Sequence, residues 1–288
     1  MPQKILVTGA NGQLGSEIRL LSGNYNHEFL YTDIDETDLS ERDSALSFLA
    51  RVNPDIVINC AAYTAVDKAE EEPDTALKVN AGIPTNLAEF ATENNKFIVH
   101  LSTDYVFSGM YPLPLSESDP TNPKSVYGIT KLEGEKAIQH IPRYLILRTS
   151  WLYSVFGNNF VKTMLKLLYE KDELKVVFDQ LGSPTYATDL ATAILQIIDR
   201  SPDQSVSGIY HYANEGVASW YDFAFEIQEL AGTHCNINPV LTGEFPRPAP
   251  RPVYSVFNKE KVKQTFGLTI PHWKTSLGIC IEKIMNQH

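Results

Sequence analysis

The sequence predicts an α/β protein built around a doubly wound parallel β-sheet, with a smaller C-terminal lobe. Short apolar runs rich in Val and Ile recur along the chain, and segments with helical periodicity separate them. Because parallel neighbours need a crossover connection, this alternation indicates right-handed βαβ units. A glycine-rich turn follows the first apolar run directly, which is the arrangement expected where a strand turns sharply into a helix.

The elements follow from these patterns in chain order. The predicted strands are residues 4–8, 29–32, 55–60, 97–101, 145–149 and 174–178. The predicted helices are residues 13–21, 44–51, 74–94 and 127–139. The pattern loosens from about Trp151, so we expect a first domain over residues 1–150, with returning segments from about 174–215, and a second lobe over residues 151–288.

Composition narrows the functional classes. A formal net charge of -11 argues against a nucleic-acid protein, because phosphate recognition needs clustered Lys and Arg. The cysteines Cys60, Cys235 and Cys280 lack metal-ligand spacing, and an odd number cannot all pair within one chain. No stretch has the length or apolarity of a signal-peptide core or a membrane span. We therefore expect a cytoplasmic protein with no nucleic-acid or membrane partner.

The glycine-rich turn predicts a dinucleotide site. Gly9, Gly12 and Gly15 form a G-x-x-G-x-x-G pattern between the first strand and the first helix. Glycines there allow a tight turn and let backbone N–H groups reach a pyrophosphate at the helix N-terminus, as in a Rossmann-type fold. The predicted cofactor-binding residues of this turn are Gly9, Asn11, Gly12, Gln13, Leu14 and Gly15.

Residues after the second and third strands complete the predicted cofactor site. Asp33 ends the second strand, where an acid can accept hydrogen bonds from the adenosine ribose, although an ordinary turn residue would look the same. Asp33 should repel a 2′-phosphate unless Arg19 or Arg42 neutralises it, so we expect use of either NADPH or NADH. The remaining predicted contacts lie near the adenine or allow close cofactor approach: Asp38, Leu39, Ala61, Ala62 and Tyr63.

Tyr127 and Lys131 are the candidate catalytic pair. A four-residue step places both side chains on one helix face, so a phenol and an ammonium can address the same small molecule. A nearby ammonium favours the ionised phenol and should draw its pKa toward neutral. Thr103 ends the fourth strand and could hydrogen-bond a substrate carbonyl beside Tyr127. Taken alone, a Tyr and a Lys four residues apart are more often a chance pair on a helix, and a Thr at a strand end is more often a turn residue.

Longer segments resemble the extended short-chain dehydrogenase/reductase family over essentially the whole chain. They are residues 59–70, 101–109, 126–135, 147–153, 157–160 and 179–185, including Ser-Thr-Asp-Tyr-Val-Phe and Arg-Thr-Ser-Trp. The resemblance implies hydride delivery from a reduced nicotinamide to the C4 carbonyl of a dTDP-linked 4-keto-6-deoxyhexose. In that scheme Tyr127 donates the proton, Lys131 binds the nicotinamide ribose and tunes the phenol, and Thr103 positions the carbonyl as a second donor.

The resemblance also implies the substrate-binding residues. The positions that match sugar contacts are Val66, Asp67, Thr103, Asp104, Tyr105 and Trp151. The candidates for the diphosphate and thymidine, by family position or by charge, are Asn159, Lys162, Gln180 and Arg251. Arg251 lies in a proline-dense segment, residues 244–254, which either covers the site rigidly or ties down the C-terminal lobe.

Magnesium is not expected. Some family members share magnesium between glutamates of two subunits; Glu17 matches the first, but Thr188 stands where the second would fall and Glu282 is one residue out of register. Loss of a carboxylate weakens a hard-cation site, so we expect no metal and a monomer or weak homodimer.

Two other functions remain open at this point. One is a non-catalytic nucleotide-binding subunit that resembles the regulatory β subunit of methionine adenosyltransferase. The other is an epimerase or a reductase for another nucleotide sugar. Retention of Thr103, Tyr127 and Lys131 together disfavours the non-catalytic subunit.

Overall fold

A computed structural model describes residues 2–110, 112–200 and 204–286. The strands are β1 Lys4–Thr8, β2 Glu28–Thr32, β3 Ile56–Asn59, β4 Phe97–Thr103, β5 Tyr144–Thr149, β6 Leu152–Tyr153, β7 Glu173–Val177, β8 Leu181–Gly182, β9 Thr185–Tyr186, β10 Gly208–His211, β11 Ala218–Ser219 and β12 Asn236–Val240. The α-helices are α1 Gln13–Leu21, α2 Arg42–Val52, α3 Val66–Ala69, α4 Pro73–Leu77, α5 Ile83–Asn94, α6 Val126–Gln139, α7 Phe160–Glu170, α8 Ala187–Asp199, α9 Trp220–Ala231, α10 Glu260–Phe266 and α11 Trp273–Met285. A π-helix, Lys78–Gly82, joins α4 to α5, and short 3₁₀ turns cover Ser22–Asn24, Asp104–Val106, Gln204–Val206 and Thr242–Glu244.

Within the described residues, six strands form a parallel sheet in the order β10-β5-β4-β3-β1-β2. From β1 the chain adds β2 on one side, at the edge of the sheet. It then adds β3, β4, β5 and finally β10 on the other side of β1. This confirms the doubly wound α/β prediction. The crevice of such a sheet lies at the carboxyl ends of β1 and β3, where the strand order reverses.

The prediction for residues 174–178 was wrong in its placement. A strand does form there, but β7 pairs with β12 in a separate two-stranded sheet. The sixth strand of the central sheet is instead β10, which runs parallel to β5. The physical reason is visible in the sequence of β7, because Glu173 and Lys175 would place charges inside a sheet that helices cover on both faces.

Buried side chains form three large clusters within the described residues. The first covers one face of the central sheet and includes Ile5 of β1, Ile194 of α8 and Phe266 of α10. The second covers the opposite face and includes Leu6 of β1. The third lies among α7, α9 and α11, around Phe223. Helix α8 packs on α1, so part of the second half returns to the first. We therefore keep, as a proposal, a division near residue 150 with α8 and β10 returning to the first domain.

Among the helices the structure describes, none is both long and apolar enough to span a lipid bilayer.

Candidate active site

The glycine-rich turn is shaped by close backbone contacts. Gly9 has a φ of +62°, and a Cβ there would lie 2.6 Å from the backbone nitrogen of Ala61. A Cβ on Gly15 would lie 2.5 Å from the carbonyl oxygen of Gly9. Gly12 caps α1 without a side-chain hydrogen bond, so the helix N-terminus presents backbone N–H groups to the crevice. The turn is therefore suited to a pyrophosphate, as the sequence predicts.

Asp33 lies beside this turn. Its carboxylate accepts hydrogen bonds from the backbone nitrogens of Asn11 and Ile34, both at 2.8 Å. The two arginines considered as neutralising partners are engaged elsewhere. Arg19 stacks over the ring of Tyr31, and Arg42 donates from Nε to Glu89 at 2.9 Å. Neither arginine is therefore paired with Asp33.

The π-helix supplies a residue that sequence reasoning missed. Asn80 is buried and holds the backbone of Tyr63 at both ends, accepting from its nitrogen at 2.8 Å and donating to its oxygen at 3.1 Å. It also donates to the Thr130 hydroxyl of α6 at 3.1 Å. Asn80 thus joins the predicted cofactor segment Ala61–Ala62–Tyr63 to the catalytic helix. Short π segments are frequent at functional sites, but the sequence reads here as one uninterrupted helix.

The neighbouring predicted contacts, Asp38 and Leu39, are held by their own chain. Asp38 accepts a hydrogen bond from Ser40, which lowers the pKa of its carboxyl group despite some burial. The carbonyl of Leu39 accepts from the buried amide of Asn86 at 2.9 Å. Both interactions fix the loop that follows β2 before any ligand binds.

Helix α6 carries Tyr127 and Lys131 and lies unusually close to its neighbours. Ser125 caps it by accepting from Gly128 at 3.1 Å. A Cβ on Gly128 would lie 2.3 Å from the carbonyl oxygen of Tyr105, and one on Gly134 would lie 2.2 Å from that of Asn80. These glycines let the helix press against the end of β4 and the π-helix, which places Tyr127 at the crevice.

The ammonium of Lys131 is turned inward. Lys131 is 2% exposed, and its Nζ donates to the carbonyl oxygen of Leu101 at 2.6 Å. Burial lowers the pKa of Lys131 to about 8, although Glu135 acts in the opposite direction. The lysine is therefore held against β4, one helical turn from Tyr127.

The expectation that Lys131 would lower the pKa of Tyr127 was wrong for this arrangement. Burial raises the pKa of Tyr127 to about 12, and the charge of Asp104 acts in the same direction. A hydrogen bond with Thr103 opposes this rise only in part. The reason is that desolvation penalises the phenolate, while the lysine ammonium is engaged by a backbone carbonyl. Tyr127 is consequently a phenol at neutral pH, which is the form that can donate a proton.

Thr103 does not offer its hydrogen to the crevice. Its hydroxyl donates to Asp104 Oδ1 at 3.0 Å and accepts from the backbone nitrogen of Tyr105 at 3.3 Å. A hydroxyl has one hydrogen, so Thr103 would have to turn from Asp104 to act as the predicted second donor to a substrate carbonyl, and that role stays a prediction. The ring of Tyr105 packs edge-on against Tyr127, with centroids 5.3 Å apart.

A buried ion pair underlies the catalytic helix, and sequence reasoning missed it. Arg148 of β5 donates to both carboxylate oxygens of Glu135, at 2.9 and 2.7 Å, and Ser102 donates to the same group. Arg148 is 2% exposed and Glu135 is fully buried. The signal in the sequence was an arginine inside an otherwise apolar strand. Breaking such a pair on one side is costly, so it fixes α6 relative to β4 and β5.

Asp67 and Arg251, predicted to contact different parts of the substrate, bind each other. The guanidinium spans both carboxylate oxygens at 2.7 and 2.8 Å, and the backbone nitrogen of Ala249 donates to Asp67 at 3.2 Å. The hydrogen bond from Arg251 holds the pKa of Asp67 below its ordinary value. Val66 begins α3 beside this pair, and Arg247 lies 4.0 Å from the same carboxylate. The proline-dense segment is thereby tied to α3.

Trp151 occupies a strained backbone position between β5 and β6. Its φ is +49°, a conformation that bulky residues rarely adopt. Its indole stacks on Trp220 at 3.6 Å with the planes 8° apart, and a Cβ on Gly182 would lie 2.7 Å from it. Strain of this kind persists where the surroundings over-determine it, often at functional sites. Trp220 was not predicted, and nothing local in the sequence marks it.

Three further predicted substrate residues, Asn159, Lys162 and Gln180, lie in the second half of the chain. Asn159 caps α7, accepting from the nitrogen of Lys162 at 3.1 Å, and donates to Gln13 of α1 at 3.0 Å. The ammonium of Lys162 donates to Gly157 at 3.1 Å. Gln180 donates to the Thr242 hydroxyl at 3.0 Å. Asn159 therefore connects the second lobe to the cofactor turn directly.

Glu17 lies inside the protein. It is fully buried, and Ser154 donates to it at 2.6 Å. Thr188 is nearby in α8 but supplies only a hydroxyl. In the part of the chain that the structure describes, no group of three or more His, Cys, Asp or Glu side chains could hold a metal ion.

The glycine turn, the doubly wound sheet and the Tyr127–Lys131 helix define a dinucleotide-binding protein of the extended short-chain dehydrogenase/reductase class. Residues 3–286 match the family described as RmlD substrate binding domain, and the chain belongs to this family.

Three relatives show how far the similarity extends. The chain is 40% identical over 284 residues to dTDP-4-dehydrorhamnose reductase of Aggregatibacter actinomycetemcomitans, covering 95% of this chain and 97% of the relative. Its fold matches the crystal structure of a dTDP-4-dehydrorhamnose reductase from Clostridium acetobutylicum with a TM-score of 0.93 and 47% identity, covering 98% and 99% of the two chains. The corresponding enzyme of Bacillus anthracis, in complex with NADP, matches with a TM-score of 0.92 and 36% identity over the whole of both chains.

Proposed function

We propose that the protein reduces the C4 ketone of dTDP-4-dehydro-L-rhamnose to dTDP-L-rhamnose with NADPH or NADH, the last step of dTDP-rhamnose synthesis. The observation that carries this proposal is the placement of Tyr127: its phenol lies on α6, one helical turn from Lys131, and packs against Tyr105 at the end of β4. It is protonated at neutral pH, since burial raises its pKa to about 12. Ketone reduction needs an acid in that state, because a proton must reach the oxygen as hydride reaches the carbon. The names of the relatives supply the sugar nucleotide and the NADP complex supports the cofactor.

The residues of the glycine turn fit a nicotinamide dinucleotide. Gly9 and Gly15 let the backbone of the turn pack directly against Ala61 and against its own first residues, and the uncapped N-terminus of α1 offers N–H groups to a pyrophosphate. Asp33 would accept from the adenosine ribose, and Lys131 would hold the nicotinamide ribose. When bound, the reduced cofactor supplies the hydride.

Residues of the protein supply the proton. Tyr127 donates its phenolic hydrogen to the C4 oxygen, so the developing alkoxide is neutralised as it forms. Lys131, one turn away and held by the carbonyl of Leu101, would keep two further N–H donors for the nicotinamide ribose. The Glu135–Arg148 pair keeps α6 fixed to the sheet, so the distance between Tyr127 and the ketone does not depend on a mobile element.

The second lobe would hold the sugar nucleotide. Trp151, stacked on Trp220, offers an apolar face to the deoxyhexose, and Arg251 and Lys162 offer positive charge to the diphosphate. We also propose a cytoplasmic location and a monomer or weak homodimer. The three cysteines are free, which is typical of a reducing compartment.

Cofactor consumption tests this function directly. Purified protein is mixed with NADPH or NADH and a dTDP-linked 4-keto-6-deoxyhexose, with UDP- and GDP-linked analogues as matched alternatives. We expect oxidation of the cofactor in stoichiometric amounts and dTDP-L-rhamnose as the product. Turnover of the sugar without net cofactor oxidation would indicate an epimerase, and binding without turnover would indicate a regulatory subunit; either result overturns the proposal.

A further inference from the structure

Glu70 binds the first residue of the helix that carries Tyr127. It is half-buried at the end of α3, and its Oε1 accepts a hydrogen bond from the backbone nitrogen of Val126 at 2.8 Å. Val126 begins α6 and directly precedes Tyr127. Glu70 and Val126 lie 56 residues apart along the chain, so this hydrogen bond joins two separate segments of the protein.

The hydrogen bond satisfies a backbone group at the start of α6. The first N–H groups of an α-helix have no carbonyl partner within the helix and must be bound by other groups. The hydroxyl of Ser125 binds the N–H of Gly128 at 3.1 Å, and Glu70 binds that of Val126. A carboxylate at this end also interacts favourably with the helix dipole. Tyr127 lies between the two residues whose N–H groups are bound in this way.

Helix α3, which ends at Glu70, is itself held in place. Ala69 is fully buried, and α3 packs on α6. Three residues before Glu70, Asp67 binds the guanidinium of Arg251 at two points, which attaches α3 to the proline-dense segment. Helix α3 therefore connects the segment that we propose for the sugar nucleotide with the helix that carries Tyr127.

We propose that Glu70 is a positioning residue that fixes the first turn of α6, and with it the phenol of Tyr127, relative to the bound sugar. Glu70 acts through the backbone of Val126 and not on the ketone. The inference rests on the proposed function, because the position of Tyr127 matters to turnover only where its phenol delivers a proton. Misplacement of a reacting group by about 1 Å can cost about 10²-fold in rate, so a small shift of this turn is sufficient to slow the reaction.

Two substitutions of Glu70 separate the hydrogen bond from the rest of the side chain. Glu70→Ala removes the acceptor, and we expect kcat to fall about 10-fold or more with little change in the KM for the sugar nucleotide. Glu70→Gln keeps an oxygen acceptor for the Val126 nitrogen and should retain most of the wild-type kcat. Glu71→Ala, at the exposed carboxylate next along the chain, is the matched control and should behave like the wild type. An unchanged kcat in Glu70→Ala, or equal losses in the Ala and Gln variants, overturns the proposal.

Val126→Pro breaks the same hydrogen bond by removing its donor. Proline lacks the backbone N–H and is favoured at the first position of a helix, and Ser125 already has the extended conformation that the residue before a proline adopts. We expect this variant to fold and to lose kcat as Glu70→Ala does, including where Glu70→Ala itself does not fold. A wild-type kcat in Val126→Pro contradicts the proposal.

Amide hydrogen exchange, followed by NMR, tests the contact without any turnover. In Glu70→Ala the amide of Val126 and the other amides of the first turn of α6 should exchange faster than in the wild type, while those of the later turns keep their wild-type rates. Equal acceleration along the whole of α6 would show that Glu70 only stabilises the helix in general. That result, or unchanged exchange at Val126, overturns the proposal.

A double-mutant cycle connects the contact to the phenol. If Glu70 acts through the position of Tyr127, Glu70→Ala should have little further effect on kcat in a Tyr127→Phe background. If the two losses multiply in full, Glu70 acts on the reaction by another route and the positioning role is wrong. Absence of turnover in the wild type would refute the proposed function but leave the exchange test intact.

Discussion

Arg251 and Asp67 form a two-point ion pair across the chain, with nitrogen–oxygen distances of 2.7 and 2.8 Å. The pair ties the proline-dense segment to α3, and both residues lie close enough to Tyr105 to influence the pKa of its phenol. A guanidinium that holds a carboxylate with two parallel hydrogen bonds can hold a phosphate in the same way. If Arg251 binds the diphosphate of the substrate, as we propose, the diphosphate would compete with Asp67 for this guanidinium.

Arg251→Ala should therefore raise the KM for the sugar nucleotide more than it lowers kcat. Loss of a charged hydrogen bond costs about 1.5–3 kcal/mol, or roughly a 10- to 100-fold weaker interaction. Arg51→Ala, at an arginine stacked on Phe48 of α2, is the matched control and should behave like the wild type. Steady-state kinetics in the sugar nucleotide measures both. An unchanged KM in Arg251→Ala would remove this residue from the substrate site.

Tyr127→Phe should fold and bind cofactor normally but lose most of its turnover, because it removes one hydroxyl and little volume. Proton transfer from a positioned acid contributes about 10²- to 10⁴-fold. Tyr169→Phe, on the exposed face of α7, controls for the loss of a phenol elsewhere. The comparison uses kcat together with cofactor titration. If Tyr127→Phe keeps more than half of the wild-type rate, another group supplies the proton.

Asp33 should limit any preference for NADPH. Its carboxylate lies beside the glycine turn with neither Arg19 nor Arg42 paired to it, so it repels a 2′-phosphate. We expect wild-type kcat/KM values for the two cofactors of similar size, and a shift toward NADPH in Asp33→Ala. A strong NADPH preference in the wild type that survives this substitution would show that Asp33 does not contact the ribose.

Chelation should leave the enzyme active. In the proposed mechanism Tyr127 supplies the proton as a neutral donor, and Arg251 and Lys162 balance the charge of the diphosphate without a metal ion. At the position where a shared metal was considered, Glu17 is buried against Ser154 and Thr188 carries no carboxylate. Cofactor oxidation and sedimentation are measured in excess EDTA and again after magnesium is added. Loss of turnover in EDTA, or dissociation of a dimer, would show that the protein needs a metal ion.

The sequence predicted those parts of the fold that depend on local patterns. The glycine turn, the apolar strands β1 to β5 and the helix that carries Tyr127 each have a signature within a few residues. The pairing of β7 with β12 does not, because the two strands lie about sixty residues apart along the chain. A run of apolar residues shows that a strand will form but not which neighbour it will join.

The sequence indicated which residues belong to the site, but it did not indicate which residues they contact. Tyr127, Thr103 and Arg251 could be named from motifs, but the contact between Arg251 and Asp67 joins segments 184 residues apart. The Glu135–Arg148 pair could not be predicted, because a charged residue in an apolar strand suggests a buried partner but does not show which residue that partner is. The direction of the Tyr127 pKa shift was predicted wrongly because spacing reveals a nearby lysine but not the burial of the phenol.

In the proposed reaction, hydride reaches C4 of the sugar while Tyr127 protonates the C4 oxygen, and this can be tested by following the transfer of a deuterium label. The protein is incubated with the dTDP-linked 4-keto-6-deoxyhexose and NADPH deuterated at the transferable position of the nicotinamide, and the sugar product is analysed by NMR. We expect one deuterium at C4 of dTDP-L-rhamnose, with formation of the labelled product strongly slowed in Tyr127→Phe. Deuterium at another carbon, or its complete retention in the cofactor after the sugar has reacted, would contradict this account.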